Sequence, residues 1–321
     1  MKRNLISLLG SVVLMASLAS CTGGNTSGGQ TSGTDEGKVV NIWCWNSEFQ
    51  QRFNAFYPEV AKVDGNSTTL KDGKVVNFVI HSNDNNGYQI PLDAALKAQD
   101  SAKADDKIDM FLMEADYADK YVNSSYTLDV KDLGITDSDT AQMYDYTKTI
   151  ATDSSNKLKA LSWQATPGLY AYRNDIAKQI WSDYPADPLD TDDAATKATK
   201  TAAQSAFVQE KLKDWNSFDS VAAEAKTKGF KMVSGYDDMY RVFSNNATTP
   251  WVKDKKVTIP SAIKDWLKKE KSYVGNDYSG TTKLWDDAWQ KDQGPTGNVL
   301  GFFYSTWGIN FTLLGNSLAD S

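Results

Sequence analysis

The sequence predicts an α/β fold with a largely parallel sheet, organised as about two domains. Short runs rich in β-branched and aromatic residues alternate with segments whose apolar residues recur at helical spacing. The chain has 321 residues, which by length corresponds to about two domains, each with ample core. Hydrophobic residues make up 40% of the chain and aromatic residues 12%, which excludes a disordered acidic protein.

The first half opens with a strand, a short polar loop and a helix. The run from Val39 to Trp45 is β-rich, and Ser47 to Gln50 fits an S-x-x-Q capping box. Phenylalanines at helical spacing follow that box, so the first helix starts there. Further elements of this half are predicted as strands over 74–81 and 108–113 and helices through 92–96 and over 116–122.

The second half repeats this alternation. Strands are predicted over 158–163, 170–172, 230–233 and 299–304. Helices are predicted over 175–181, around 218–225 with Gly229 as C-cap, and over 263–271, where a lysine run marks a solvated face. The polar, Thr- and Ala-rich stretch 187–204 indicates a surface insertion or a helical excursion.

The N-terminus has the pattern of an export signal that ends in a lipid attachment site. A basic start precedes an apolar run over 5–19, which is too short to span a membrane comfortably and typical of a signal peptide. The run ends in Leu-Ala-Ser-Cys, which resembles the lipobox of bacterial lipoproteins, whose cysteine is lipidated. We therefore predict a signal peptide over 1–20, lipidation of Cys21 and a flexible Gly/Ser/Thr tether over 21–37; a plain secretory signal is the alternative.

Composition argues against several other classes of function. A net charge of −7 disfavours binding to a nucleic-acid backbone, and one His with two Cys cannot build a Cys/His zinc site. Cys44 lies between two tryptophans in a strand-like run and is interpreted as a buried, inert thiol, and His81 as structural or ligand-contacting. The loop 82–93 only partly matches an EF-hand, and adjacent acids such as Asp237-Asp238 are most simply surface charges, so no metal or cofactor is predicted.

Aromatic and polar residues recur at the ends of predicted strands. In open α/β sheets, ligands bind at the carboxyl ends of the strands. Aromatic rings stack on the C–H faces of sugars, while carboxylates and carboxamides hydrogen-bond to sugar hydroxyls. The candidate ligand-binding residues are Trp45, Asn46, Glu48, Asp84, Glu114, Asp116, Trp163, Gln164, Tyr236, Asp237 and Trp307. Core packing explains any single tryptophan equally well, and Trp181, Trp215 and Trp266 are assigned to the core.

Four segments carry a resemblance to a known family. They are VVNIWCWNSEFQQRFNAFYP, KIDMFLMEADYADKY, LSWQATPGLYAYRNDIA and NVLGFFYSTWG. Together with the lipobox they resemble the extracellular solute-binding proteins of family 1, the maltose-binding type that delivers oligosaccharides to ABC importers. The similarity extends over essentially the whole chain after the tether, and the order of elements carries much of it.

The resemblance implies a type II periplasmic-binding-protein fold, with two α/β lobes joined by a hinge and the ligand cleft between them. The lobes would be 38–164 and 165–321, and the second would be incomplete because relatives continue beyond the Trp-Gly turn at 307–308. By position, the resemblance assigns sugar hydrogen bonds to Asn46, Glu48, Glu114 and Asp116, hinge positions to Trp163 and Gln164, second-lobe contacts to Tyr236 and Asp237, and a stacking platform to Trp307.

The resulting prediction is a non-enzymatic, monomeric lipoprotein, anchored through Cys21 with its folded body outside the cytoplasm. It would capture a sugar, most simply an oligosaccharide, and deliver it to ABC permease subunits, without contact to nucleic acid. One alternative is a secreted glycan-degrading lipoprotein of the paired-carboxylate type. Another is the same fold binding a different solute, such as a peptide, a polyamine or an iron chelate.

Overall fold

A computed structural model describes residues 37–318 of the chain. The predicted signal peptide, the lipidation site Cys21 and the tether up to residue 36 lie outside the described residues. The chain forms two compact units, of which the first ends at Trp163 and the second begins at Gln164. Each unit has its own β-sheet structure and its own apolar clusters.

The first unit is built on a five-stranded sheet in the order β2-β3-β4-β1-β5. Its elements are β1 (Val39–Cys44), α1 (Glu48–Phe56), β2 (Val60–Asp64), β3 (Ser67–Leu70), β4 (Val75–Ile80), α2 (Gln89–Ala98), β5 (Met110–Phe111), α3 (Ala118–Val122) and α4 (Asp145–Ala151).

The central strand β1 pairs in parallel with β4 on one side and β5 on the other, with Ile42 opposite Phe78 and Met110. A polar contact fixes this register at the start of β1. The Asn41 side chain is buried, donates to the carbonyls of Asp105 and Lys107, and accepts from Asn77. The predicted parallel core of the sheet is therefore present.

The outer part of this sheet is antiparallel, in contrast to the largely parallel sheet that the sequence predicts. Strands β2 and β3 form a hairpin that pairs with β4, so the sheet is mixed. The connection is Gly65-Asn66, a two-residue turn of the kind that joins hairpins. That dipeptide is the signal that could have revealed the hairpin.

The predicted capping box at the start of α1 is wrong in its contacts. Ser47 is the N-cap residue but its side chain makes no capping hydrogen bond; instead its hydroxyl accepts from Gln51. Gln50 is buried and donates to the carbonyl of Gly65, in the turn between β2 and β3. The Gln50 side chain therefore makes a long-range hydrogen bond in place of the local one that the capping box requires.

The second unit contains three two-stranded sheets, β10-β7, β11-β6 and β8-β9. Its elements are β6 (Gly168–Tyr172), α5 (Asn174–Ile180), α6 (Ala194–Lys211), α7 (Trp215–Thr227), β7 (Val233–Gly235), α8 (Tyr240–Ser244), β8 (Val252–Lys253), β9 (Lys256–Val257), α9 (Ser261–Gly275), β10 (Ser279–Thr282), α10 (Asp287–Asp292), β11 (Gly301–Ser305) and α11 (Leu314–Ser317). The pair β7 and β10 is parallel, whereas β6 and β11 are antiparallel.

In the second half, one predicted strand is wrong, and the stretch 187–204, predicted as a surface insertion or a helical excursion, is helical from Ala194 onward. The run 158–163 is not a strand; only Leu158 forms an isolated bridge, with Thr152. The polar stretch 187–204 leads into the long helix α6, whose N-cap Asp193 accepts from the Thr196 backbone N–H. Alanine-rich polar segments form helices readily when such a cap is present.

The core of the second unit lies around α5 and α7. Trp181 is buried there, as predicted, whereas Trp215 and Trp266 pack against the same cluster but are only partly buried. The chain leaves α7 through Gly229, which has a left-handed φ of +84°. This confirms the predicted role of that glycine in ending the helix.

Cys44 should be an unreactive thiol. It is fully buried at the end of β1, and burial raises its pKa to about 11, so little thiolate forms at neutral pH. In a Cys21→Ala variant, we expect Cys44 to react with a thiol reagent at least about 100-fold more slowly in the native protein than in urea. A second variant that also carries Ser155→Cys supplies an exposed control thiol. Equal rates for Cys44 and the control would contradict the prediction.

Candidate functional site

The carboxyl ends of three parallel strands form one edge of the first unit's sheet. Because β4, β1 and β5 are neighbours and run in the same direction, the segments that follow them meet at that edge. The structure therefore brings together most of the candidate residues of this unit, namely Trp45, Asn46 and Glu48 after β1, Asp84 after β4, and Glu114 and Asp116 after β5.

A direct contact joins the loops after β4 and β5. The Asn83 side chain donates to the Glu114 carboxylate over 3.1 Å. The next residue, Asp84, accepts a hydrogen bond from the Ser82 hydroxyl over 2.6 Å, a contact within the loop after β4. Asn83 was not among the predicted site residues, and its position in an Asn- and Asp-rich loop after a strand is the signal for it.

Trp45 and Asn46 have structural contacts as well as a place at this edge. Trp45 is half-buried, packs against the cores on both sides of the sheet and meets the Tyr88 ring edge-on at 5.6 Å. The Asn46 side-chain oxygen accepts from the Glu48 backbone N–H over 2.9 Å, at the start of α1. This contact holds the first turn of α1, where the Glu48 carboxylate pairs with Arg52 over 3.9 Å.

The edge is supported from below by a buried tyrosine. The Tyr88 hydroxyl lies 2.7 Å from the carbonyl oxygen of Leu112 and 3.0 Å from that of Trp43, at the ends of β5 and β1. A second contact joins β1 to the segment after β4, because the rings of Trp43 and His81 stack at 5.0 Å. His81, the first residue after β4, thus has a structural contact with Trp43, which lies within β1.

Trp163 does not follow a strand, contrary to the prediction, because 158–163 is not one. Trp163 is 37% exposed, and its ring meets the Phe49 ring edge-on at 5.3 Å. Phe49 lies in the first turn of α1, one residue after Glu48. Trp163 is therefore placed near the candidate residues of the first unit through α1.

The second unit has a corresponding edge. Strands β7 and β10 are parallel, and Lys231 bridges Val299 in parallel, so β11 runs in the same direction as both. The segments after these strands carry Tyr236 and Asp237, then Trp285, and then Trp307. Gln164 belongs to the same region, because β6 is antiparallel to β11 and the segment before β6 adjoins the end of β11.

Hydrogen bonds hold these segments together. The Asp237 carboxylate accepts from the Leu284 backbone N–H over 3.0 Å, which links the turn after β7 to the loop after β10. The hydroxyl of Thr306, just before Trp307, donates to the carbonyl of Ala165 over 3.2 Å. Tyr236 is exposed beside Asp237, so this edge offers phenol, carboxylate and indole groups to solvent.

A buried carboxylate fixes the backbone beneath this edge. Asp238 is 5% exposed and accepts from the backbone N–H groups of Ser234 and Gly235 and from the Trp289 indole. Burial nevertheless raises its pKa to about 7. The interpretation of Asp237-Asp238 as surface charge is thus wrong for Asp238, whose role is to shape the turn that presents Tyr236 and Asp237.

Glu270, on α9, is a second buried acid in this unit. It is 5% exposed, and neither carboxylate oxygen has a hydrogen-bond partner among residues 37–318. Burial, and next the negative charge of Asp238, raise its pKa to about 8. Both acids therefore take up protons on folding at neutral pH. Within the described part of the chain, no cluster of three or more His, Cys, Asp or Glu residues could hold a metal ion.

Comparison with known proteins identifies the fold. A solved structure described as "Crystal structure of Extracellular solute-binding protein family 1" superposes with a TM-score of 0.60 and 15% sequence identity. The match covers 87% of this chain, and this chain spans 63% of the length of that protein. The predicted α/β fold of the solute-binding type is thereby confirmed.

The sequence itself gives no such match: no family model and no curated protein matches this chain. Between residues 37 and 318, no helix combines the length and the apolar character needed to cross a membrane.

The two buried acids should make stability depend on pH. Because the folded protein binds these protons more tightly than the unfolded chain, the free energy of unfolding should fall as pH rises from about 4 to about 8, by up to about 1.4 kcal/mol per pH unit for each acid. Urea unfolding at several pH values measures this slope. Glu270→Gln should flatten it, whereas the exposed control Glu210→Gln should not. A slope unchanged by Glu270→Gln would show that Glu270 does not contribute.

Proposed function

We propose that this protein is the substrate-binding lipoprotein of an ABC importer and that its ligand is a sugar. One observation carries the proposal. At the carboxyl edges of the sheets, both units collect aromatic rings with carboxylates or carboxamides, in a fold shared with a solute-binding protein.

The chemistry of these groups suits a saccharide better than other solutes. Indole rings are present at both edges, Trp45 in the first unit and Trp285 and Trp307 in the second, and an exposed indole can lie against the C–H face of a pyranose. Glu48, Glu114 and Asp237 supply oxygens that accept from hydroxyls. A peptide or a polyamine would also use carboxylates, but it does not need flat aromatic surfaces on both units.

Binding without turnover is supported by the state of the acids. A glycosidase needs a carboxylic acid of raised pKa that can reach the glycosidic oxygen and a second carboxylate across the bond. Burial has raised the pKa of Asp238 and Glu270 to values near neutrality, but both are almost fully enclosed by protein. In this proposal they do not transfer protons to a ligand.

The proposal includes the export signal and lipid anchor at Cys21 and delivery of the sugar to permease subunits. It rests here on the lipobox pattern and on the resemblance to solute-binding lipoproteins.

Sugar binding should be visible in the intrinsic fluorescence of the tryptophans. Titration with maltotriose, cellotriose, xylotriose or mannotriose should give a saturable change in emission for at least one of these sugars, since indoles would leave water on binding. Spermidine and trialanine serve as controls for the alternative solutes. A response to these controls, with none to any saccharide, would overturn the sugar assignment.

The same saccharides should remain intact. Chromatography after prolonged incubation should show the trisaccharide that binds and no shorter product. Release of product that a single Asp or Glu substitution abolishes would establish the glycosidase alternative instead.

Membrane attachment should depend on one cysteine. In a bacterial host that processes lipoproteins, the wild-type protein should fractionate with membranes, and Cys21→Ser should move it to the soluble exported fraction, because the acyl chains are attached at that sulfur. Cys44→Ser is the matched control and should leave the fractionation unchanged. Membrane retention of the Cys21 variant would contradict the lipid anchor.

A further inference from the structure

We propose that Trp285, and not Trp307, is the ring on which the sugar stacks in the second unit, and that Trp307 is the residue that positions it. The proposal rests on the proposed function and names a binding residue for it. A flat indole ring implies that the ligand is a pyranose with one continuous C–H face that lies against the ring.

The two indoles form a stacked pair at the edge described above. Their ring centroids are 5.3 Å apart and the planes differ by 19°. Trp285 is the outer member, with 49% of its surface exposed, whereas Trp307 is only partly exposed. Trp285 also meets the Trp289 ring at 5.5 Å with the planes tilted by 52°, and about half of its surface remains exposed for a ligand.

Trp307 is enclosed by other rings. Tyr304 and Phe311 meet it edge-on at 6.4 and 6.5 Å, and Trp285 covers a face. The next residue, Gly308, lies so close to the Tyr304 ring that a Cβ there would come within 2.1 Å of it. This close approach fixes the turn that carries Trp307, so the indole serves as a firm base for Trp285.

Trp285 has an unusual backbone. Its φ is +76°, a region that bulky residues rarely occupy and that costs energy to hold. Surrounding contacts maintain it: the Leu284 backbone N–H donates to Asp237, and the Gln290 side chain donates to the Trp285 carbonyl over 3.3 Å. The Trp285 side chain therefore stays exposed, although its backbone conformation is unfavourable and indoles are usually buried.

The neighbours of Trp285 complete a sugar subsite. Asp237 is connected to the same loop through its hydrogen bond to Leu284, and Tyr236 is exposed next to it. A flat apolar surface with a carboxylate and a phenol beside it matches a pyranose, which has an apolar face and hydroxyls around its rim. Asp237 therefore has two roles, anchoring the Trp285 loop and lying where a ligand hydroxyl would bind.

Calorimetric titration tests the proposal, with the trisaccharide from the fluorescence panel that binds most tightly as the probe. Trp285→Ala should raise the Kd by about 5- to 150-fold, the range for loss of one stacked ring. Trp285→Phe should keep part of the affinity. Trp251→Ala, which removes another exposed tryptophan of the same unit, is the matched control and should leave the Kd unchanged.

The positioning role of Trp307 predicts non-additive effects. Trp307→Ala should also weaken binding, while Trp307→Phe should restore most of the affinity, because a phenyl ring still supports Trp285. In the double variant with Trp285→Ala, replacing Trp307 should add little to the Kd. Additive losses, or a larger loss from Trp307→Ala than from Trp285→Ala, would mean that Trp307 itself stacks on the sugar and would overturn the assignment.

The outcomes separate this inference from the proposed function. If the wild-type protein binds a saccharide and Trp285→Ala binds it equally well, the sugar-binding function stands and the assignment of Trp285 is wrong. If the wild-type protein binds none of the saccharides, both are wrong. Thermal unfolding of each variant checks its fold, and the Trp285→Phe variant gives a result even if Trp285→Ala unfolds.

Discussion

Parallel pairing of strands is the constraint on which both candidate edges depend. In the first unit β4, β1 and β5 lie side by side and end at the same edge, and in the second unit β7, β10 and β11 run in a common direction. Loops that are distant in sequence therefore start from neighbouring points. Asn41 contributes to this arrangement, because its buried amide connects β1 to β4 and to the segment before β5.

The groups exposed at each edge depend on buried polar groups beneath them. Tyr88 holds the ends of β1 and β5 through two carbonyl oxygens, and Asp238 holds the turn after β7 through two backbone N–H groups. Neither residue is placed to touch a ligand. Their burial raises the pKa of both groups, which keeps the tyrosine neutral and makes the carboxyl easier to protonate near neutral pH.

The Trp285 segment of the second unit shows how packing holds an exposed side chain on a strained backbone. The segment carrying Trp285 combines a costly backbone conformation with an exposed indole, and Asp237, Gln290 and Trp307 hold it in place. Such strain is maintained only where the surroundings determine the conformation. A binding surface that is already formed loses little conformational freedom when a ligand arrives, which favours affinity.

The sequence by itself determined the α/β class, most of the strands and helices, and the short list of residues that follow strands. These features are local, because periodicity, capping and turn residues act over a few positions. Most candidate residues lie where predicted for the same reason: a residue just after a strand is at the sheet edge in any α/β fold.

Only the tertiary structure decided how those residues are used. Gln50 hydrogen-bonds to Gly65 and not to its own helix. The run 158–163 does not form a strand, although the sequence pattern predicts one. Asp238 is buried, whereas its neighbour Asp237 is not. The stacking of Trp285 on Trp307 joins residues 22 positions apart and depends on the end of β11 lying near the loop after β10. Contacts of this kind are set by packing between elements, which no local pattern in the sequence encodes.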